Sequence, residues 1–334
     1  MRIALDAMGS DRAPAVEVEG AIGALRLLDP SIQLVLVGDR DCVEAELDRY
    51  SDVERDRIEL IHAPDRIVMG ESPAQAIRRK PNSSIVLGLT LQKRGEVDAF
   101  ISAGSTGAVM AGSLVILGAL PGVDRPGIGT LLPTARGPVL LLDAGANVDT
   151  RPRQLHQFAH LGTIYARDLM GRERPRVGLL NIGEEPEKGD ERSIETHRLL
   201  AASPSLNFIG NIEGRDVVRG EFDVLICDGF VGNVLLKFYE SLASYITGLV
   251  RDEAAAANVT MDFDRIFQGL DYTEYGGAPL LGVAGVTIVC HGGSPPSALS
   301  NAIRVGAQAV ESQMVTHIQK RLAKLAESEV SDGE

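Results

Sequence analysis

Short apolar runs punctuate this chain, and each ends in a polar or glycine-rich turn. They read "RIALDA" (2–7), "IQLVLVGD" (32–39), "IELIHAPD" (58–65), "DAFISAGS" (98–105), "PVLLLDAGAN" (138–147), "RVGLLNIG" (176–183), "LNFIGNIEG" (206–214), "DVLICDG" (223–229) and "VTIVCHGG" (286–293). Their apolar residues are continuous rather than alternating, as in strands covered on both faces. Stretches with helical spacing lie between them, among them 17–28, 154–170 and 299–325. That alternation predicts an α/β fold whose sheet is mainly parallel, with helices on both sides. Residues 1–325 read as one body and the acidic end, 326–334, as a flexible tail.

One segment breaks the rhythm. From Val234 to Leu270 no strand-like run occurs, while Leu235, Phe238, Leu242, Ile246, Leu249 and Val250 keep helical spacing. Phe263, Ile266, Phe267 and Leu270 open a second helix, with Ala254 to Ala257 as the turn between them. A helical hairpin protruding from an α/β body must cover its apolar stripe, against a twofold-related copy or by folding back on its own body.

Charge and composition narrow the function. A net charge of −13 argues against general nucleic-acid binding, which needs clustered Lys and Arg. Cys42, Cys227 and Cys290 are odd in number and widely spaced, so they read as buried thiols of a reducing compartment, with no disulfide or zinc framework. No apolar run reaches the ~20 residues of a membrane span, and the start is too polar for a signal peptide, so a cytosolic protein is expected.

Ligands of open parallel sheets bind beyond the carboxyl ends of the strands, so what each run ends on matters most. Those ends carry Asp6 and Asp11, His62, Ser102 with Ser105 and Thr106, Asp143 with Asn147, Asn181 with Glu184, Asn211, Asp228 with Asn233, and His291. "FISAGSTGAVMAG" (100–112) matches neither the Walker loop nor the dinucleotide fingerprint, and it has no lysine. As a strand, a glycine turn and a helix start, it offers backbone N–H groups and three hydroxyls to a small anion; equally, its small residues would let the helix pack closely on the sheet. His156 and His160 lie four apart without the glutamate and third ligand of a zinc site, so no metal is expected there. His197 and His317 read as surface residues. His291, at a strand end before two glycines, is placed for a general acid or base, or for a structural hydrogen bond. Strand alternation points Cys290 away from it, and no G-x-S-x-G elbow marks a nucleophilic serine, which leaves direct transfer between a held anion and an acyl donor.

Ten ordered blocks carry a resemblance. They are "LDAMGSDRAP" (5–14), "ESPAQAIRRKPNSS" (71–84), "ISAGSTGAVMAG" (101–112), "LPGVDRPGI" (120–128), "LLDAGANVD" (141–149), "GLLNIGEEPEKG" (178–189), "NFIGNIEGRD" (207–216), "CDGFVGNVLLK" (227–237), "EYGGAPLLGV" (274–283) and "CHGGS" (290–294). Together they resemble the PlsX family of acyl-acyl-carrier-protein:phosphate acyltransferases. The resemblance implies a three-layer α/β/α Rossmann-like homodimer, akin to phosphotransacetylases, that converts acyl-acyl carrier protein and inorganic phosphate into acyl phosphate. A PlsY-type membrane glycerol-3-phosphate acyltransferase would consume that product in phospholipid synthesis, and no cofactor or metal is implied. Ser10 and Ser105 stand where the family commonly has glycine and asparagine.

Under that resemblance, Ser102, Gly104, Ser105, Thr106 and Gly107 would hold phosphate, and Asn147, Asn233 and His291 would serve the oxyanion or the leaving thiolate. Asp6, Asp11 and Asp228 would orient donors, since like charges repel. Lys237 would pair with phosphate or with Asp228, or stand as an exposed helical lysine. Arg78, Arg79 and Lys80 would dock the acidic carrier protein, or simply end a solvated helix. Gly276 to Gly285 would line an acyl channel or form a plain hairpin. The hairpin tip, "AAAAN" (254–258), would touch the inner face of the membrane only slightly and reversibly. The alternatives are a phosphotransacetylase-like transfer from acyl-CoA, a non-catalytic carrier-binding module and, more remotely, a nicotinamide dehydrogenase.

Overall fold

The computed structural model describes residues 1–51, 53–257, 259, 262–263 and 276–331, with backbone alone over 326–331. Where the sequence suggests one body, the chain divides into two compact units, Met1–Pro126 with Tyr275–Glu334, and Gly127–Glu274.

The first unit contains β1 (Arg2–Asp6), α1 (Ala15–Leu25), β2 (Gln33–Gly38), α2 (Arg40–Leu47), β3 (Ile58–His62), α3 (Pro73–Arg79), α4 (Ser84–Lys93), β4 (Ala99–Ser102) and α5 (Thr106–Gly112). In the second lie β5 (Gly127–Leu132), β6 (Val139–Leu142), α6 (Pro152–Asp168), β7 (Arg176–Asn181), α7 (Glu191–Ala201), β8 (Asn207–Glu213), β9 (Val224–Ile226) and α8 (Gly229–Ala256). The chain then returns to the first with β10 (Ala278–Leu281), β11 (Val286–Val289), α9 (Pro296–Glu311) and α10 (Met314–Ser331).

In the first unit β3, β2, β1, β4 and β11 run parallel in that order, and β10 closes on β11 antiparallel. Helices cover both faces, as neighbouring residues of β4 show. The Phe100 ring lies against Gly88 of α4, whereas Ile101, pointing the other way, lies 3.3 Å from where a Cβ on Gly306 of α9 would stand. Phe100, Ala4, Val37, Ile85, Leu89 and Val109 share one buried cluster. In the second unit β6, β9, β7 and β8 are parallel neighbours and β5 pairs with β6 antiparallel. The fold is α/β with a mostly parallel, mixed sheet.

Several details differ from the sequence reading. β5 was not anticipated, because its glycines obscure the strand pattern, and β10 lies where a plain hairpin was one of two readings. Gly276 to Gly285 proves to lead into an antiparallel hairpin, β10 with β11. The helical stretch 299–325 is two helices, broken where Gln313 adopts a left-handed φ of 54°. α8 begins at Gly229 and passes straight through Ala254 to Ala256, where a turn was expected. Apart from Phe263, the residues that define the expected second helix lie outside those described. Cys227 and Cys290 are buried, but Cys42 is exposed, because α2 turns only Val43 and Leu47 to the core. His197 and His317 are half-buried rather than superficial; the His197 ring packs edge-on against Phe208, 5.0 Å between centroids. His156 meets the Ser203 hydroxyl at 2.6 Å and the buried His160 ring at 4.8 Å. Among the described residues no cluster of three His, Cys, Asp or Glu side chains is placed to hold a metal, and no helix is long and apolar enough to cross a membrane.

Candidate active site

Parallel strands end on the same side, so in the first unit the ends of β1, β4 and β11 meet. Asp6 closes β1 and is 1% exposed. Its Oδ2 accepts the Ser102 hydroxyl at 2.7 Å and its Oδ1 the Met8 N–H at 3.0 Å. Burial raises the Asp6 pKa, against hydrogen bonds from Ser102, Ser84 and Met8 and the charge of Arg66. The Ser102 oxygen in turn accepts the Gly104 N–H at 3.0 Å. Ser102 and Gly104 are therefore buried and spend their polar groups on shaping the turn.

What that turn presents is the start of α5. Ser105 caps the helix, its hydroxyl oxygen accepting the Ala108 N–H at 3.4 Å. The first amides of a helix lack intrahelical acceptors, so those of Thr106 and Gly107 are available to an anion. The Thr106 side chain is exposed, and Ser105 and Gly107 are partly so. Gly107 also touches α3: a Cβ there would stand 2.8 Å from Pro73 Cγ.

The loops that carry Asp11 and His291 meet through Gly292, and Cys290 donates its N–H to the Ser102 carbonyl at 2.8 Å. The Asp11 N–H donates to the Gly292 carbonyl at 2.9 Å, and a Cβ on Gly292 would stand 3.0 Å from the Asp11 carboxylate. His291 is exposed, its carbonyl accepting the Ser294 N–H at 3.0 Å. Cys290 is buried, and burial foremost, with Glu17 adding, pushes its thiol up to about 12. A thiol so protonated is no nucleophile near neutrality. At the end of α3, Arg78 and Arg79 are exposed, whereas Lys80 is tied to Glu71 at 2.6 Å and to the Arg66 carbonyl at 2.8 Å.

Asn147, Asn233, Asp228 and Lys237 belong to the second unit, where Asp143 is the organiser. Its Oδ1 accepts the N–H groups of Ile128, Gly145 and Ala146, and its Oδ2 those of the Asn147 backbone and side-chain amide, at 2.7 and 2.9 Å. One N–H of the Asn147 amide thus helps to hold its own turn. Burial raises the Asp143 pKa in spite of these bonds. Asp228 caps α8 by accepting the Phe230 and Val231 N–H groups, each at 2.9 Å. Its other oxygen pairs with Arg192 at 2.9 Å, the place where Lys237 was considered; Lys237 itself is exposed. Gly232 lets α8 lie directly on the Asp143 carbonyl, a contact that any side chain would block. Asn233 is half-buried, its Oδ1 3.5 Å from where a Cβ on Gly145 would stand. Beside these groups a cleft of about 550 Å³ is lined by Leu155, Leu179, Asn181, Arg192, Val234 and Phe238, among others.

Sequence reasoning missed Glu17, Ser84, Arg66 and Arg192, and left Asp143 among the strand ends without a role. Arg192 follows the Asp190 cap of α7, the one local signal that marked its neighbourhood as a helix start facing a strand end. Glu17 carries no such signal.

A family profile described as fatty acid synthesis protein matches residues 1–317. A phosphate acyltransferase of Desulforamulus reducens is 49% identical over 329 residues, 96% of this chain and 97% of that one. Another, of Trichormus variabilis, is 47% identical over 332 residues, 96% of both. Among solved structures, phosphotransacetylases of Streptococcus pyogenes and Staphylococcus aureus share the fold with TM-scores of 0.64 and 0.61, at 16% and 18% identity; each comparison covers 93% of this chain and 94% of the other. With the profile spanning nearly its whole length and relatives close to half-identical, the chain belongs to the PlsX family of fatty acid synthesis proteins and is an acyltransferase.

Proposed function

We propose that the chain transfers a fatty acyl group from acyl-acyl carrier protein to inorganic phosphate. A phosphate oxygen attacks the thioester carbonyl carbon, a C–O bond forms, and the carbonyl electrons move onto its oxygen. Collapse re-forms the carbonyl, breaks the C–S bond and gives acyl phosphate and the carrier thiolate, which takes up a proton. Phosphate is already partly a dianion at neutral pH, so the protein has to position it and stabilise developing charge rather than deprotonate it.

The observation that carries this reading is the lysine-free turn after β4, tied by Asp6 and Ser102 and presenting the Thr106 hydroxyl with the first amides of α5. In this proposal Ser105, Thr106 and Gly107 hold phosphate, Ser102 and Gly104 shape the turn, and His291 serves the leaving thiolate or the oxyanion. Asn233, in the second unit, stays a candidate for the oxyanion or the leaving thiolate, while Asn147, bonded to Asp143, positions its turn. Arg78 and Arg79 receive the carrier protein. The protein works as a homodimer, peripheral at most to the inner membrane face, where a PlsY-type glycerol-3-phosphate acyltransferase consumes the product.

Thr106→Val tests the anion site. Losing one hydrogen bond to a charged ligand is worth about 1.5–3 kcal/mol, so the phosphate KM should rise tenfold or more while the KM for acyl-acyl carrier protein stays put. An unchanged phosphate KM would move the site elsewhere.

A further inference from the structure

Glu17 sits in the first turn of α1 and is fully buried. A buried carboxylate is unfavourable unless specific donors meet it. Here two donors come from one residue, beside the backbone N–H of Glu17 itself. Glu17 Oε1 accepts the Ser10 N–H at 2.6 Å and Oε2 the Ser10 hydroxyl at 3.0 Å. The Ser10 carbonyl accepts Arg66 Nη2 at 2.6 Å, so every polar group of Ser10 is engaged.

The residue before it makes this anchoring matter. Gly9 lies backbone to backbone on the turn after β4: a Cβ there would stand 2.7 Å from the Gly104 nitrogen and 2.9 Å from the Ala103 carbonyl carbon. The residue after it, Asp11, donates its N–H to Gly292 at 2.9 Å. Ser10 is thus the fixed point of a short strap between the turn that opens α5 and the loop that carries His291. An apolar side chain at position 17 would satisfy burial as well; a carboxylate that takes both Ser10 donors selects a position.

We propose that Glu17 is a positioning residue that, through Ser10 and Gly9, holds the Gly104–Gly107 turn in its phosphate-binding geometry. The proposal rests on that turn being the phosphate site. Glu17 touches no substrate; it acts through the strap.

The experiment compares phosphate KM, carrier-substrate KM and kcat for wild type, Glu17→Ala, Glu17→Gln, Ser10→Ala, the Glu17→Ala/Ser10→Ala double variant and Thr106→Val. Glu17→Ala should raise the phosphate KM about tenfold and leave the carrier-substrate KM within twofold. Glu17→Gln should return the phosphate KM to within about threefold of wild type, because its amide oxygen still takes the Ser10 N–H and its nitrogen can donate to the hydroxyl. Adding Ser10→Ala to Glu17→Ala should change nothing further, since the link is already cut. Should Glu17→Ala fail to fold, Ser10→Ala carries the test, with about a threefold rise in phosphate KM alone. A rise in phosphate KM for Thr106→Val but in neither Glu17→Ala nor Ser10→Ala overturns the proposal and leaves the site standing. If Thr106→Val is also silent, the turn is not the phosphate site and the proposal falls with it.

Discussion

Ser10 and Ser105, where the resemblance implies glycine and asparagine, each make a hydrogen bond. Ser10 gives its hydroxyl to Glu17, and Ser105 uses its own to cap α5, a task asparagine performs equally well. His291 is exposed, and His291→Ala should lower kcat about 100-fold if the imidazole handles a proton or the developing charge. Normal turnover with a lowered melting temperature would instead make it structural. At this scale the sequence was partly legible. Hydroxyls and glycines after an apolar run mark a turn at a strand end, and that is where they lie. Which of them face outward is set by hydrogen bonds from distant residues: Ser102 is consumed by Asp6, 96 positions away. Glu17 was illegible because a glutamate in the first turn of a helix reads as a solvated partner of the helix dipole.

α8 is the element least explained by its own unit. Its 28 residues extend about 42 Å, yet only Gly229, Gly232 and Ala254 are buried. Phe238 and Tyr245 are each 63% exposed and Leu249 51%, with Leu242 and Ile246 on the same helix at 39%. A run of exposed apolar side chains of this length marks an interaction surface, and a second copy of the chain is the partner we propose. Leu242→Asp with Ile246→Asp places two carboxylates in that seam, where leaving water without a counter-charge is strongly unfavourable. Sedimentation at low micromolar concentration should then find monomers; a monodisperse dimer would count against the seam. The helical spacing from 235 to 250 foretold this element correctly because its apolar stripe has nothing local to obscure it. β5 escaped notice for the converse reason: as an antiparallel partner it needs neither a long run nor β-branched residues, and "GIGTLL" looks like a turn.

Taken whole, the molecule is acidic, and so is the carrier protein proposed as its substrate's handle. With a net charge of −13 the chain repels such a partner at long range, and productive encounter has to use a local patch of the opposite sign. Arg78 and Arg79 provide one: both are exposed in the last turn of α3, and α3 packs against the start of α5 through Pro73 and Gly107. The third basic residue, Lys80, is held by Glu71, so its charge is largely answered within the protein. The two arginines stand at the other end of α3, where Ile77 lies beside Gly112 at the end of α5, so in this proposal they attract the carrier rather than act at the phosphate turn itself. Exposed charges of this kind govern association rate and salt dependence more than the strength of the final complex, and at physiological ionic strength they act over about 8 Å. Arg78→Glu with Arg79→Glu should therefore raise the KM for acyl-acyl carrier protein several-fold at low salt, with little difference from wild type at high salt, and leave the phosphate KM unchanged. Measured across a salt series, wild type should lose affinity for the carrier as salt rises, while the double variant should show a flat or reversed dependence. Parallel salt dependences for the two proteins would place the docking surface on another face, whereas an altered phosphate KM would mean that the arginines act on the anion itself.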